Sequence, residues 1–400
     1  MKRREFIQAS ATVAAAVTLG SPLVGESQPR AEKARVQKYR PLGRTGIEMS
    51  DISFGGGKLP SASMVLRAVD RGINYFDTAP DYGPSEDLIG KALKSLDRQK
   101  VVIASKFCRT EPYPAHLPLG SKREDYIAAV EGSLKRLGTD YLDVVFVHAI
   151  GEKEDLEAEK RRLLDPNMLE AYAALKKAGK VKHLAVSSHG AFNLEKLMVE
   201  AVDSGHYDLV MMAFNFMKFP TLPAIIKQAA AKGVGVVAMK TLAGARESGV
   251  TEKTGPFEQA AFRWVLQHPE VSGLVVTFQT VDQLDQFLPA SGSPFTQADR
   301  KELDRYAALH GTAYCRTGCG DCVSHCSEGV EIANILRYQM YFENYGDEKQ
   351  AMVAYARLGH DASSCLDCAD SACDRGCAYG LPVGEKLRAA HRTLSFAPFV

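Results

Sequence analysis

Between residues 40 and 297, short apolar runs alternate with longer amphipathic stretches. The runs fall at 52–54, 74–77, 101–105, 143–148, 183–187, 209–214, 234–239 and 273–278. Each is short and largely apolar, the pattern of a strand covered on both faces. Between them apolar residues recur at helical spacing: Leu66, Val69 and Ile73; Ile127, Val130, Leu134 and Leu137; Leu194, Leu197, Met198 and Val202. Buried strands separated by amphipathic helices predict a parallel sheet with helices on its faces. Eight such units in roughly 250 residues match the size of a (β/α)8 TIM barrel. An open, doubly wound sheet is the competing arrangement, and it would carry G-x-G-x-x-G after its first strand. Here the first run leads into Gly55, Gly56, Gly57 and Lys58, without the third glycine at that spacing. The expected class is α/β: a (β/α)8 barrel over 38–297, then a small, mainly helical segment over 298–400. Helices are expected in that segment at 330–343, 350–358 and 381–394.

The amino terminus stands outside this pattern. Lys2, Arg3 and Arg4 precede Glu5, Phe6 and Ile7, and a weakly apolar run rich in Ala and Val extends to Leu19. That run is short and small-sided for a membrane span. The arginine pair resembles a twin-arginine export signal; a Sec signal and a basic amphipathic start are the other readings. Residues 1–31 are therefore expected to be an address handled by the twin-arginine (Tat) machinery, and the protein to be periplasmic or otherwise exported. The charge balance narrows the partners. With 49 Lys and Arg against 48 Asp and Glu, the net charge is +1. Such a chain has no electrostatic footprint for nucleic acid or an anionic membrane. It does not read as an integral membrane protein.

Titratable residues gather where the runs end. The run 74–77 ends at Asp77, with Tyr82 in the loop beyond; 101–105 leads into Lys106; 143–148 ends at His148. Any one of these is an ordinary turn residue or exposed charge. Three at successive strand ends fall on one rim of a barrel, the rim that carries barrel active sites. Hydride transfer to a carbonyl carbon builds charge on the carbonyl oxygen, and a proton donor in reach lowers that barrier. Tyrosine is a weak acid, with a pKa of about 10, and a neighbouring ammonium stabilises its phenolate. Tyr82 is then the acid/base, Lys106 its tuner, Asp77 the anchor of Lys106, and His148 the group that orients the carbonyl oxygen.

The flanking loops set the tone of the mouth. The loop 107–122 carries Cys108, Tyr113 and His116, and the loop after 209–214 carries Phe216, Met217 and Phe219 beyond Phe214. An apolar, partly aromatic mouth suits a nonionic substrate; packing on the helices below is an equal use for those aromatics. The charge run at 151–162 reads as a solvated loop or helix face.

The motifs NYFDTAPDYG (74–83), VIASK (102–106) and VVFVH (144–148), with Ser85 and Glu86 after the tyrosine, resemble the aldo-keto reductase signatures in order and spacing. The resemblance covers about 38 to 290. It implies NAD(P)H bound extended across the barrel mouth, and reduction of a small carbonyl, or oxidation of an alcohol, by the four residues just named. Ser187 and Ser188 stand where the resemblance places a Ser-Asn pair on the nicotinamide amide, and Met211 where a Gln shares that task. Met239, Lys240, Thr241, Leu242, Ala243 and Gly244 occupy the stretch where an aromatic often stacks on the nicotinamide, and are similar to the iron–sulfur branch. The adenosine region holds Thr277, Phe278, Gln279, Gln283, Gln286 and Phe287. No cation stands there to meet a 2′-phosphate, so tight NADP binding is not expected.

Eight of the nine cysteines lie between Cys315 and Cys377. They form two sets: Cys315, Cys319, Cys322 and Cys326, then Cys365, Cys368, Cys373 and Cys377. Four thiolates at short spacing can hold a [4Fe–4S] cluster. Two clusters are expected first; one cluster with spare thiols, two four-thiolate zinc sites and four disulfides are the alternatives. The segment resembles the helical ferredoxin-like domain appended to some aldo-keto reductases. In two-cluster ferredoxins the fourth cysteine of each run serves the other cluster. The resemblance thus groups Cys315, Cys319, Cys322 and Cys377, and Cys326, Cys365, Cys368 and Cys373. The spacings depart from the usual two, two and three: here they are three, two and three, then two, four and three. Ser327 and Ala378 stand where a proline is usual. Cys108, alone in its loop, is read as outside the ligand sets. The function expected is an exported oxidoreductase whose barrel chemistry is coupled through the clusters to a redox partner. The alternative is an electron-transfer protein without nicotinamide, its barrel a docking scaffold.

Overall fold

Two three-residue strands, β1 (Tyr39–Pro41) and β2 (Glu48–Ser50), pair antiparallel ahead of the barrel. The turn between them uses Gly43 and Gly46, at φ 56° and 75°, a region open to glycine without cost. Eight strands follow: β3 (Ile52–Gly55), β4 (Tyr75–Asp77), β5 (Val102–Lys106), β6 (Leu142–Val147), β7 (Val181–Ser188), β8 (Leu209–Ala213), β9 (Gly235–Met239) and β10 (Gly273–Val276). They close in the order β10-β3-β4-β5-β6-β7-β8-β9, every pair parallel. This is the (β/α)8 barrel that the alternating pattern predicts, with strand ends moved by at most two residues. The computed structural model describes residues 33–110, 114–153, 155–190, 192–217, 221–243, 256–313, 315, 316 and 319–395. The expected export signal, Tyr113, Phe219 and Gly244 lie outside them.

The outer layer is α1 (Ala62–Asp70), α2 (Ser85–Leu93), α3 (Arg123–Leu137), α4 (Leu156–Leu163), α5 (Pro166–Lys177), α6 (Leu194–Ser204), α7 (Leu222–Ala231), α8 (Phe257–Leu266) and α9 (Val281–Phe287). Strand side chains alternate between two cores, as a period of two requires. Phe54, Phe76, Ile103, Val145 and Leu184 face the helices. Tyr75, Val102, Ala104, Val144, Phe146, Ala185 and Met211 fill the barrel interior. The hairpin plugs the far end of that interior with Leu42 and Met49, both buried. Sequence reading does not find the hairpin, because three-residue strands show too few alternations to count.

Helix α10 (Gln297–His310) follows the barrel and packs on α8: Leu303 and Tyr306 bury against Phe257, Ala260 and Ala261. The barrel layer thus runs on to His310, beyond the boundary expected at 297. The remaining helices are α11 (Ile332–Glu343), α12 (Glu348–Tyr355), α13 (Ala372–Arg375) and α14 (Val383–Leu394). They share a separate core of Ile332, Ile335, Leu336, Tyr355 and Leu387, in which Cys322, Cys365 and Cys373 are buried. The three helices predicted after residue 330 are all present. Among the described residues no helix is long and apolar enough to cross a membrane.

Leu42→Ala opens a cavity in the plugged end of the barrel, at an expected cost of about 2–5 kcal/mol. Urea denaturation followed through the lone Trp264 measures it; an unchanged midpoint would show that the hairpin is not a structural plug.

Candidate active site

The two-residue alternation that builds the interior also builds the mouth. Asp77 follows Tyr75 on the inward face of β4, Lys106 follows Val102 and Ala104 on β5, and His148 follows Val144 and Phe146 just beyond β6. All three are buried. Lys106 Nζ donates to Asp77 Oδ1 at 2.7 Å and to the Thr78 carbonyl at 2.8 Å. The same ammonium lies 4.9 Å from the centre of the Tyr82 ring and 5.4 Å from that of Phe146. Tyr82 Oη lies 3.4 Å from His148 Nε2. The structure therefore brings together all four residues that the strand ends singled out. Burial pushes the Asp77 carboxyl above its ordinary value, against the opposing pull of Lys106. Burial, with His116 and Lys106 adding to it, holds His148 well below the ordinary imidazole value, so its ring is neutral.

Ser85 and Glu86 lock the loop that carries Tyr82. Thr78 Oγ1 donates to Ser85 Oγ at 2.8 Å, Ser105 Oγ to Glu86 Oε1 at 2.6 Å, and Arg136 Nε to Glu86 Oε2 at 2.6 Å. The charge run after β6 is not simply solvated. Arg162 donates to the carbonyls of His148 and Ala149, at 3.1 and 2.7 Å, and buried Glu159 accepts from Gly151 N at 2.7 Å. These bonds hold Ala149 at φ 49° immediately after His148, a conformation costly for a residue with a Cβ. The loops after β6 and β7 touch backbone to backbone: a Cβ on Gly190 would lie 2.0 Å from the Gly151 carbonyl oxygen.

Beneath Tyr82 lies a second group that sequence reading leaves scattered. Cys108 Sγ is 3.1 Å from His148 Nδ1 and 3.8 Å from His116 Nδ1. Asp81 Oδ2 accepts from Ala115 N at 3.1 Å and lies 3.9 Å from His148 Nδ1. His116 Nε2 is 3.0 Å from Glu152 Oε2. A bridge between Cys108 and His116 folds the loop after β5 back on itself and makes this cluster. The only sequence signal was the presence of Cys108 and His116 in one loop.

The residues matched to the cofactor fall into three groups. Ser187 Oγ accepts from Ala149 N at 3.0 Å, and Ser188 Oγ donates to the Ile150 carbonyl at 2.9 Å. Met211 and Met239 belong to the barrel interior, and Thr241 is buried. Gln283 Oε1 accepts from the amides of Gln279 and Thr280, at 2.6 and 3.3 Å, and so caps α9. Lys240, at φ 55°, places its ammonium 4.8 Å from the Tyr341 ring centre and 4.7 Å from that of Tyr345. The segment that follows the barrel thus reaches the mouth. It does so twice more: Arg337 donates to the His189 carbonyl at 2.9 Å, and Lys58 pairs with Asp347 at 2.7 Å. Burial, then Lys240 and Arg337, push His189 down to about 3. Arg337 and Lys58 carried no sequence signal, since their partners are far off in the chain.

Among the described residues no disulfide joins any of the nine cysteines. Cys315, Cys319, Cys322 and Cys377 line one cavity, with Arg316, Asp321 and Tyr379. Burial, then Cys315, Cys377 and Cys319, push the Cys322 thiol up to about 12. Burial, then Cys326, Cys373 and Cys368, push Cys365 up to about 11. Gly320 and Val323, from the first set's loop, pack against Phe192 in the loop after β7.

Comparison with known proteins fits this geometry. The model of the Aldo/keto reductase family matches residues 58–259. L-galactose dehydrogenase of Arabidopsis thaliana is 25% identical over 295 residues, which span 63% of this chain and 88% of the plant protein. An aldo-keto reductase of Fusarium vanettenii is 24% identical, over 68% of this chain and 91% of its own. A Pseudomonas aeruginosa structure described as an aldo-keto reductase is 27% identical, with a TM-score of 0.54, and covers 65% of this chain and 96% of its own. The family match leaves the cysteine-rich segment outside it. On the closed parallel barrel and the half of the chain that the family model spans, this protein belongs to the aldo/keto reductase family and is an oxidoreductase.

Proposed function

We propose that the protein is an exported oxidoreductase that interconverts a small carbonyl and its alcohol with NAD(P)H, and exchanges electrons with a redox partner through two [4Fe–4S] clusters. The observation that carries the reading is the buried Asp77–Lys106 pair set beneath Tyr82, with His148 beside the phenol. In this reading Tyr82 gives its proton to the carbonyl oxygen as charge develops there, and takes it back in the reverse direction. Lys106 stabilises the phenolate by charge. Asp77 holds Lys106 in one place, and neutral His148 orients the oxygen.

The donor set suits a nicotinamide carboxamide. Ser187 uses a lone pair on Ala149 N and keeps its hydroxyl proton; Ser188 uses its proton on Ile150 and keeps its lone pairs. Together they offer one donor and one acceptor. The adenosine end is plainer: Gln283 is committed to a helix cap, and 277–287 holds no Lys or Arg. NAD is therefore favoured over NADP. The thiols suit clusters better than single zinc ions. Four thiolates on one zinc lie roughly 3.8 Å apart, from Zn–S bonds of about 2.3 Å. Among the described residues no three cysteine sulfurs lie within 4.8 Å of one another. Bound nicotinamide would supply or accept a hydride, and bound clusters would carry single electrons. The arginine pair at Arg3 and Arg4 supports export after folding, through the twin-arginine machinery.

Three outcomes test the reading. In an anaerobic titration with NADH and NADPH, cluster absorbance bleaches as the nicotinamide is oxidised. Failure of both nucleotides, with dithionite still bleaching the clusters, would favour an electron-transfer protein without nicotinamide. Tyr82→Phe lowers carbonyl turnover by about 10²–10⁴ with cluster absorbance intact; full turnover would remove Tyr82 from the chemistry. Cys322→Ser and Cys365→Ser each reduce iron from about eight to about four atoms per chain. Unchanged iron in either variant rejects that cysteine as a ligand.

A further inference from the structure

Under Tyr82, four side chains turn toward a common point. Asp81, Cys108, His116 and His148 bring one donor atom each within 4.8 Å of one another. They come from three separate places: the Tyr82 loop, the loop after β5, and the end of β6. Asp81, Cys108 and His148 are buried, and His116 is nearly so.

Hydrogen bonding alone does not satisfy this group. Glu152 faces His116 Nε2 at 3.0 Å, which leaves Nδ1 on the inward side, toward Cys108. His148 Nε2 faces Tyr82 Oη, which leaves its Nδ1 facing Cys108. Asp81 Oδ2 accepts from Ala115 N, while its buried Oδ1 has no hydrogen-bond partner. The inward side thus holds two ring nitrogens, the Cys108 thiol and a carboxylate. A buried acceptor without a donor is costly. One cation meets all of them.

We infer that Asp81, Cys108, His116 and His148 form a site for one divalent transition metal ion of the zinc class. Two imidazoles, a thiolate and a carboxylate are a zinc-type ligand set. Tetrahedral bonds of about 2.0–2.3 Å place ligand atoms roughly 3.3–3.8 Å apart; the separations here are 3.1, 3.8 and 3.9 Å. Glu152 on the far nitrogen of His116 is the carboxylate partner that commonly orients a ligating histidine. Binding exchanges the Cys108 thiol proton for the ion, so one proton leaves per ion bound. The ion's two charges are met by the thiolate and Asp81.

Resting on the proposed acid/base role of Tyr82, the site has a consequence for that chemistry. With the ion on Nδ1, the His148 proton is fixed on Nε2 and directed at Tyr82 Oη. Asp81, Cys108 and His116 then act as positioning residues for the acid/base.

The test uses full-length, cluster-replete protein equilibrated with micromolar Zn2+ and returned to metal-free buffer. Elemental analysis is expected to give one zinc per chain in the wild type and in Tyr82→Phe. Cys108→Ser and His116→Ala should lose that equivalent at unchanged iron. Equal zinc in all four proteins, or none in the wild type, overturns the site. Should both variants fail to fold, wild-type crystals measured at the zinc absorption edge decide: an anomalous peak among the four residues supports the site, and its absence overturns it. Zinc bound without carbonyl turnover leaves the site standing and rejects the reductase reading. Turnover without zinc does the reverse.

Discussion

Lys106 is an ammonium with no access to water, and the mouth of the barrel is arranged around its neutralisation. A buried cation is tolerated only where it is paired and its protons are accepted. Asp77 and the Thr78 carbonyl take two of those protons, and the faces of Tyr82 and Phe146 cover the rest of the head group. The geometry in turn constrains its neighbours. Tyr82 must lie close to the charge, so its loop is locked through Ser85 and Glu86. Removing either member of the ion pair would leave the other charge stranded, which is why the pair positions and cannot be treated as a replaceable surface bridge.

The sequence makes the barrel legible because its strands are short, apolar and covered on both faces, leaving periodicity as the only ambiguity. It also makes Asp77, Lys106 and His148 legible, because strand alternation carries each onto the same inward face as Tyr75, Ala104 and Phe146. What depends on loop folding is not legible. Cys108 and His116 meet through a single bridge, and Asp81 and Glu152 join them from other loops. The charge run after β6 reads as solvated because charge normally is, yet Glu159 and Arg162 are spent on backbone groups that hold Ala149 in a left-handed conformation. The change of layer at His310 was hidden for a similar reason. Helix α10 has the periodicity of any amphipathic helix, and only the facing residues on α8 reveal which body it belongs to.

The cysteine-rich segment shows the same division. Local spacing brings out the two sets, but that Cys377 lines one cavity with Cys315, Cys319 and Cys322 is a matter of how the chain returns to the first loop. That return brings the two ends of the segment together. It also places the first set's loop, at Gly320 and Val323, against Phe192 of the barrel. The cysteine-rich loop and the loop after β7 therefore share a wall of packed side chains.

The ties between Lys58 and Asp347, His189 and Arg337, and Lys240 and the tyrosines of the last segment have a temporal meaning. Their partners are separated by up to 289 residues (58 to 347). A chain emerging from the ribosome completes its barrel well before residues 337–347 exist to close over it. The mouth is thus completed later than the barrel that carries it. The contacts that join the last segment to the mouth therefore form only after the barrel has its full set of strands.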